Sequence, residues 1–433
     1  MRLDRSEAIS PAIAALLIPR FDTSLFLINP PVLLESRTFM IDVSSRTTQQ
    51  YFFDWVSVSA VGSSSIVLCM SSISSHLPHQ LHHCQPERHT MLRIKCSGTP
   101  YEIGFTHGQY ASAQIHRTIS FYTTLFMDMA SLPWSRVLEI ASTFSAPIAT
   151  KWPAYHSEMR GIAAGAGVTL LDIIAINVRT EISFGLFSDG CTALSWRTGD
   201  VSFLAQNWDW MDAQRENLLF LEIDQRPRPC IKMVTEAGLI GKIGMNDRGV
   251  GICLNAIRAK GVDQNKIPCH LGLRLVLDSA SKDEAVRRLE EYGLASSCHM
   301  LVADGTGSVG LEWTFSAGRK LKMNESGQVF HSNHYLHKDL VPFDTDWMID
   351  SGFRLDRIEQ LCQGVEKPDM EVVRKMFRDE ENFPSGICRK TTEAITNAST
   401  LFSIVMELRS KRAIITLGRP VAPEQEFEIS FWH

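Results

Sequence analysis

Several absences narrow the reading of this 433-residue chain before any motif is considered. No apolar run reaches the roughly 18 residues needed to cross a bilayer, so no membrane span is expected. Neither sign of charge dominates: 43 Lys and Arg stand against 48 Asp and Glu, and no basic face suggests a nucleic-acid partner. The 10 cysteines are scattered, without CxxC pairs or metal-ligand spacing. That usage excludes a disulfide framework and a cysteine metal site, and it suggests reduced thiols in an intracellular protein. Internal repeats and the glycine patterns of dinucleotide or P-loop sites are also lacking, so no nucleotide cofactor is indicated.

What is present falls into three stretches. Residues 1–90 carry apolar pieces broken by Pro19, Arg20, Asp22, Pro30 and Pro31, which makes a poor signal peptide. Serine-rich runs follow, then a tract with His76, His79, His82, His83, Cys84 and His89. Such tracts can bind metal, but without a scaffold to hold the imidazoles this one reads as solvated linker. Residues 1–90 are expected to be disordered or a non-native extension, with Met91 a candidate start.

From residue 91 to 190 helical periodicity dominates. Met91 to Cys96 reads as a strand, and Thr99, Pro100 and Glu102 form a capping-box start. Helical patterns follow at Ile115 to Met129, Trp134 to Thr150, Tyr155 to Gly165 and Leu170 to Glu181. From 191 to 433 the period is mostly two. Thr192 to Trp196 and Val201 to Gln206 flank a hairpin loop, and strands are expected at Leu218 to Asp224, Cys230 to Thr235, Ile240 to Met245 and Gly251 to Asn255. Two helices (Pro268 to Ala280, Ser281 to Tyr292) precede strands at His299 to Ala303, Ser308 to Thr314 and Gln328 to Ser332. Helices at Ile349 to Cys362 and Met370 to Arg378 then lead to strands at Leu401 to Leu408 and Arg412 to Leu417. The fold class is α+β, antiparallel sheets covered by helices.

The junction of the last two stretches is the chemical centre. Gly190 precedes Cys191, a thiol opening an alternating run. A glycine there lets the backbone bring the thiol onto its own preceding carbonyl. Scission would expose an α-amine to serve as the thiol's base. On residue types alone, a buried cysteine at a strand start is more often a small core hydrophobe.

The stretch MLRIKCSGTPYEIGFTHG, Met91 to Gly108, resembles the opening of the fungal isopenicillin N acyltransferases (acyl-coenzyme A:6-aminopenicillanic acid acyltransferases). Further similar pieces follow in the same order: Glu158 to Gly165, Asn177 to Glu181, Asp189 to Thr192, Gln206 to Asp209, Thr235 to Lys242, His331 to His334, Ser385 to Arg389 and Leu417 to Pro420. The resemblance implies an N-terminal nucleophile hydrolase fold, an αββα four-layer sandwich. It also implies a precursor that cuts itself between Gly190 and Cys191 into an α chain (91–190) and a β chain (191–433).

Cys191 is then the nucleophile, attacking an amide or an acyl-CoA thioester. Asn333 matches the oxyanion donor and Asp209 the group that holds the α-amine. Arg389 pairs with Asp209 or keeps the thiol ionised, although Gly386 departs from the family's pattern just before it. Asn207 and Thr314 are weaker candidates for substrate contact, and Trp208 reads as core or pocket wall. No metal and no cofactor are implied, acyl-CoA being a candidate co-substrate. The partners are a small-molecule acyl donor, an amine acceptor and the chain's own two fragments. Penicillin-making members end in a peroxisomal tripeptide, whereas this chain ends in Phe431, Trp432 and His433, which favours a cytoplasmic place. Three alternatives stay open: a hydrolase-only homologue, a papain-like site using His334, and a binding homologue that no longer processes itself.

Overall fold

The computed structural model describes residues 90–183, 190–344, 348–392 and 398–431. The expectations for residues 1–90 and for the chain's last two residues lie outside the described residues, Thr90 apart. The capping box starts α1 (Pro100–Tyr110): the Thr99 hydroxyl accepts the Glu102 N–H, and the Thr99 N–H donates to Glu102 Oε2 (2.7 Å). Three longer helices follow, α2 (Ser112–Ala130), α3 (Trp134–Lys151) and α4 (Pro153–Ala166). The expected helix Leu170 to Glu181 is two, α5 (Leu170–Asn177) and α6 (Arg179–Ile182). Asn177 lies at the break. Its amide donates to Ile173 O and Gly238 O (both 2.8 Å) and accepts the Ile240 N–H (3.0 Å), a side chain competing with the helix ladder.

Helices α1 and α4 cross on glycine. A Cβ at Gly104 would lie 1.9 Å from Glu158 O, and one at Gly161 would lie 2.1 Å from Tyr101 O. Gly108 and Gly165 repeat the contact one turn on, at 2.2 Å from Ile162 O and 2.3 Å from Phe105 O. Glycine to alanine inside a helix ordinarily stabilises by up to about 1 kcal/mol. At Gly104 the added methyl meets backbone that cannot rotate away, so Gly104→Ala is expected to cost about 2–3 kcal/mol in a denaturant titration. Gly352, with nothing within 4 Å of its Cβ position, is the control that should gain.

Two sheets follow. The larger runs β1-β4-β5-β6-β7-β8-β9-β10 and the smaller β11-β2-β3-β12-β13-β14. The first comprises β1 (Leu92–Ser97), β4 (Leu218–Asp224), β5 (Ile231–Glu236), β6 (Ile243–Asn246), β7 (Gly251–Ala256), β8 (Cys298–Asp304), β9 (Gly307–Trp313) and β10 (Gly318–Lys322). The second comprises β2 (Gly190–Thr198), β3 (Val201–Met211), β11 (Gln328–His331), β12 (Ala398–Glu407), β13 (Arg412–Leu417) and β14 (Gln425–Ser430). Among the strand pairs of the described residues, only β1–β4 is parallel.

The sheets pack face to face. On β2, Ser195 reaches Ser308 Oγ of β9 (2.5 Å), and on β3 the Gln206 amide accepts the Leu254 N–H of β7 (3.0 Å). On the outer face of the smaller sheet, Leu194, Trp196, Phe203 and Val405 meet α9 (Asp350–Cys362) and α10 (Met370–Phe377) through Leu355, Ile358, Val373 and Phe377. Helices α7 (Cys269–Leu277) and α8 (Lys282–Tyr292) cover the outer face of the larger sheet. Helix, sheet, sheet, helix is the four-layer αββα sandwich that the resemblance implies. Strand β2 is therefore buried on both faces, without a break from Gly190 to Trp196, and its polar Thr192 and Ser195 are buried with hydrogen-bond partners.

Buried charges join the N-terminal helices to the sheets. Arg179 of α6 meets Glu236 of β5 at 2.9 Å, and Lys242 meets the same carboxylate at 2.7 Å. Arg274 of α7 meets Glu158 of α4 at 2.7 Å and Asp278 at 3.2 Å. The described cysteines are free thiols. Among the described residues no helix is long and apolar enough to cross a membrane.

Candidate active site

Strand β2 opens on Gly190 and Cys191, and the register with β3 sets Gly190 opposite Asp209, Cys191 opposite Trp208 and Thr192 opposite Asn207. Strand alternation then divides the residues between faces. Cys191 and Trp208 point into the layer between the sheets, with Trp208 under the Lys242 ammonium (3.7 Å to the ring centre). Gly190, Thr192, Asn207 and Asp209 face the helical layer of α9 and α10. The Cys191 side chain is fully buried.

The backbone of Cys191 is held at both ends. Its N–H donates to Asn333 Oδ1 (2.9 Å), and its carbonyl accepts from Arg354 Nη1 of α9. Arg354 Nη2 donates to the same Asn333 oxygen (2.8 Å). Asn333 itself is fixed by its N–H to Ser351 Oγ (2.7 Å) and its amide nitrogen to Ala256 O (3.0 Å). Behind it, Glu312 accepts from His331 Nε2 (2.8 Å) and from the backbone N–H groups of Leu336 and His337 (2.6 and 2.9 Å). Burial alone would raise the Glu312 carboxyl, but these donors hold it below the usual range. The His331 ring stacks on His299 with centres 3.5 Å apart.

On the other side of Gly190, Asp209 Oδ1 accepts from the Thr400 hydroxyl (2.7 Å), and Arg389 Nε stands 3.5 Å from Asp209 Oδ2. Arg389 also pairs with Asp350, which in turn accepts from Arg354 Nε (2.7 Å). Two arginines and two carboxylates thus interlock. Burial pushes Asp209 up, against the pull of Arg389 and Arg354. Burial also acts to raise Asp350, but the two arginines outweigh it and hold that carboxyl low. Desolvation, with Arg354 adding to it, lowers Arg389. A Cβ at position 190 would sit 3.1 Å from Asp209 Cβ and 3.1 Å from its Oδ2, so the residue before Cys191 has little room to be anything but glycine.

Residues 196–422 match the family model described as acyl-coenzyme A:6-aminopenicillanic acid acyl-transferase. The acyl-coenzyme A:6-aminopenicillanic-acid-acyltransferase 40 kDa form of Emericella nidulans is 35% identical over 350 residues, which span 79% of this chain and 96% of that one. The chain belongs to this acyltransferase family. It is accordingly an enzyme of the acyltransferase type. Among solved structures, penicillin V acylase from Agrobacterium tumefaciens is 16% identical (TM-score 0.37) over 56% of this chain and 86% of that one. A mutant of the conjugated bile acid hydrolase from Clostridium perfringens is 14% identical (TM-score 0.38) over 56% and 92% respectively. Both likenesses are too slight to add to the layers described above.

Within this acyltransferase-family chain, the structure gathers Gly190, Cys191, Asp209, Asn333 and Arg389 at one place. Asn333 turns its oxygen to the site while its amide nitrogen donates to Ala256 O, so the nitrogen of Cys191 lies on Asn333, whereas Asp209 lies beside Gly190. The two weaker candidates have other partners. Asn207 donates to Phe377 O (2.8 Å) and Ile387 O (3.0 Å), tying β3 to α10 on the face away from the thiol. Thr314 accepts the Ala317 N–H (2.9 Å) and the Ser316 N–H (3.2 Å), closing the turn after β9. Its hydroxyl is placed in that turn, and the structure does not bring it to the residues gathered above. His334 Nδ1 lies 2.7 Å from Ser351 Oγ, as a support of the Asn333 turn. Gly386, the departure noted before Arg389, is needed locally: a Cβ there would meet Glu381 O at 2.4 Å. Arg354 is the site residue that sequence reading missed. On an amphipathic helix, with Asp350 four residues earlier, it reads as half of a surface ion pair.

Proposed function

We propose that this chain is a self-processing cysteine acyltransferase and amidohydrolase, cut between Gly190 and Cys191 into a helical α chain (91–190) and a β chain (191–433). The observation that carries this reading is the setting of the Gly190–Cys191 bond. The Cys191 nitrogen is held by Asn333 Oδ1 at 2.9 Å, and the Asp209–Arg389 pair flanks the glycine. Cleavage would turn that nitrogen into an α-amine with its acceptor already in place.

The amine then takes the thiol proton, and the thiolate attacks the carbonyl carbon of an amide or acyl-CoA thioester. The leaving amine or thiol departs with that proton, leaving an acyl group on Cys191 sulfur. An amine acceptor or water next attacks the thioester and restores the thiol. The Asn333 amide nitrogen is the oxyanion donor in this reading, and a donor of that kind contributes about 3–4 kcal/mol. No cofactor is required, acyl-CoA serving as co-substrate. The name of the Emericella nidulans relative makes 6-aminopenicillanic acid the first acceptor to try and secondary-metabolite synthesis the first setting.

Mass spectrometry of the purified protein, incubated with phenylacetyl-CoA with and without 6-aminopenicillanic acid, tests the whole reading. A fragment beginning at Cys191 and carrying one acyl group, discharged by the added amine, is expected. Discharge at the same rate by water alone would make the protein a hydrolase. An intact chain with no adduct would refute the reading.

A further inference from the structure

Arg354 is fully buried, and the contacts of its guanidinium surround one residue. Nη1 reaches the Cys191 carbonyl and Thr192 Oγ1 (3.1 Å), and Nη2 reaches the Asn333 oxygen that receives the Cys191 N–H. Nη2 also lies 3.2 Å from Met348 Sδ, and Nε reaches Asp350 (2.7 Å). An arginine stays protonated at any working pH. A permanent cation is therefore fixed one hydrogen-bonded atom away from the nitrogen that scission would free.

We propose that Arg354 is a positioning residue that sets the pH at which the freed α-amine of Cys191 accepts the thiol proton. The inference rests on the processing proposed above and goes beyond it. An ordinary α-amine titrates near about 7.7–8.0, so much of it is protonated and useless as a base at neutral pH. A neighbouring cation disfavours the ammonium form and moves that titration down. The other groups facing the amine divide by sign. Arg389, from the segment before β12, acts with Arg354. Asp209 of β3 and Asp350 of α9 act against both, Asp350 by pairing with each arginine. His334 stands on the Asn333 turn with its pKa lowered by burial, and His331 and Glu312 pair behind it. Cys253 faces from β7, its thiol raised by burial and by Cys191. Arg354 differs from all of these in holding both backbone ends of the nucleophile residue, one directly and one through Asn333.

The test uses mature wild-type protein and three variants, each checked for a Cys191 N-terminus by mass spectrometry. kcat/KM for an acyl-CoA thioester is followed across its acid limb, which reports the free enzyme's base. Arg354→Gln is expected to move that limb up by about one pH unit, a tenfold loss of activity below it. Arg354→Lys keeps the charge, so it should lose kcat by misplacing the backbone while leaving the limb where it was. Asp350→Asn removes the counter-charge and should move the limb down. A purely structural role for Arg354 would move neither limb. If Arg354→Gln fails to mature, Asp350→Asn and Arg354→Lys decide: an unmoved limb in the first, or a raised limb in the second, overturns the proposal. An uncut, fully active wild-type chain would sink the processing reading and this inference together. A cut chain whose limb ignores both charge changes would sink this inference alone.

Discussion

Cys191→Ala is expected to leave a single uncut polypeptide and to remove acyl transfer altogether. The same sulfur is asked to open the bond before it and later to carry the acyl group, so one substitution removes both. Deleting an enzymic nucleophile costs on the order of a millionfold in kcat, and here no uncut molecule would have an α-amine to fall back on. The fold should survive. The Cys191 side chain is a small buried group in the inter-sheet core, and alanine removes one sulfur from it. Far-ultraviolet circular dichroism should be unchanged, and gel electrophoresis should show one band where the proposed processing gives wild type two. A Cys191→Ala protein cut at the same place, or one with undiminished turnover, would remove the thiol from the mechanism.

The second large effect lies at a distance from the thiol. Glu236 is fully buried, and around it stand Arg179, Lys242, the Tyr122 hydroxyl and Gln214. Burial alone would push its carboxyl up, but Arg179 and Lys242 outweigh that and hold it far below 4.5. Glu236→Gln keeps the shape and removes the carboxylate charge that Arg179 and Lys242 share. Breaking such a group costs about 3–5 kcal/mol. For a protein of this size that is a fall of about 4–7 °C in Tm, measurable by scanning calorimetry. The sign with pH follows from the lowered carboxyl. Wild-type stabilisation from this group is complete above the ordinary value of 4.5 and is lost as pH falls through the depressed one, while the variant lacks that term throughout. The gap between the two proteins should therefore narrow on acidification.

Local sequence was a good guide wherever one residue's chemistry faced its near neighbours. The Thr99 capping box, the β2–β3 hairpin and the Ser281 cap of α8 follow from short-range rules. Of the four edge strands, β1 and β11 were legible and the other two were not. β10 reads GRKLK and β14 reads QEFEIS, and both are half-exposed at sheet margins, where charge and weak alternation look like loop. Ile240 looked like strand and is not, because its N–H goes to the Asn177 side chain from a distant helix. Arg354 and Asp350 were invisible for a related reason. Their partners Cys191, Asn333 and Arg389 come from other elements, and nothing within α9 records that they are covered. The family resemblance supplied Asp209, Asn333 and Arg389 but not the particular atoms they offer. That Asn333 presents its oxygen to the Cys191 nitrogen is a fact of three-dimensional arrangement.

Strand β1 comes from the segment before the junction, yet it runs parallel to β4 as the margin of the larger sheet, from Leu92 beside Leu219 to Ser97 beside Asp224. If the backbone is severed at that junction as proposed, that hydrogen-bonded seam, the buried charges behind it and the shared apolar core would keep two polypeptides in one body. Their dissociation would then follow dilution, whereas the uncut precursor unfolds and refolds as a single molecule whatever its concentration. A matured sample unfolded and returned to buffer should recover activity in proportion to how crowded its halves are, a memory of having been assembled as one thread.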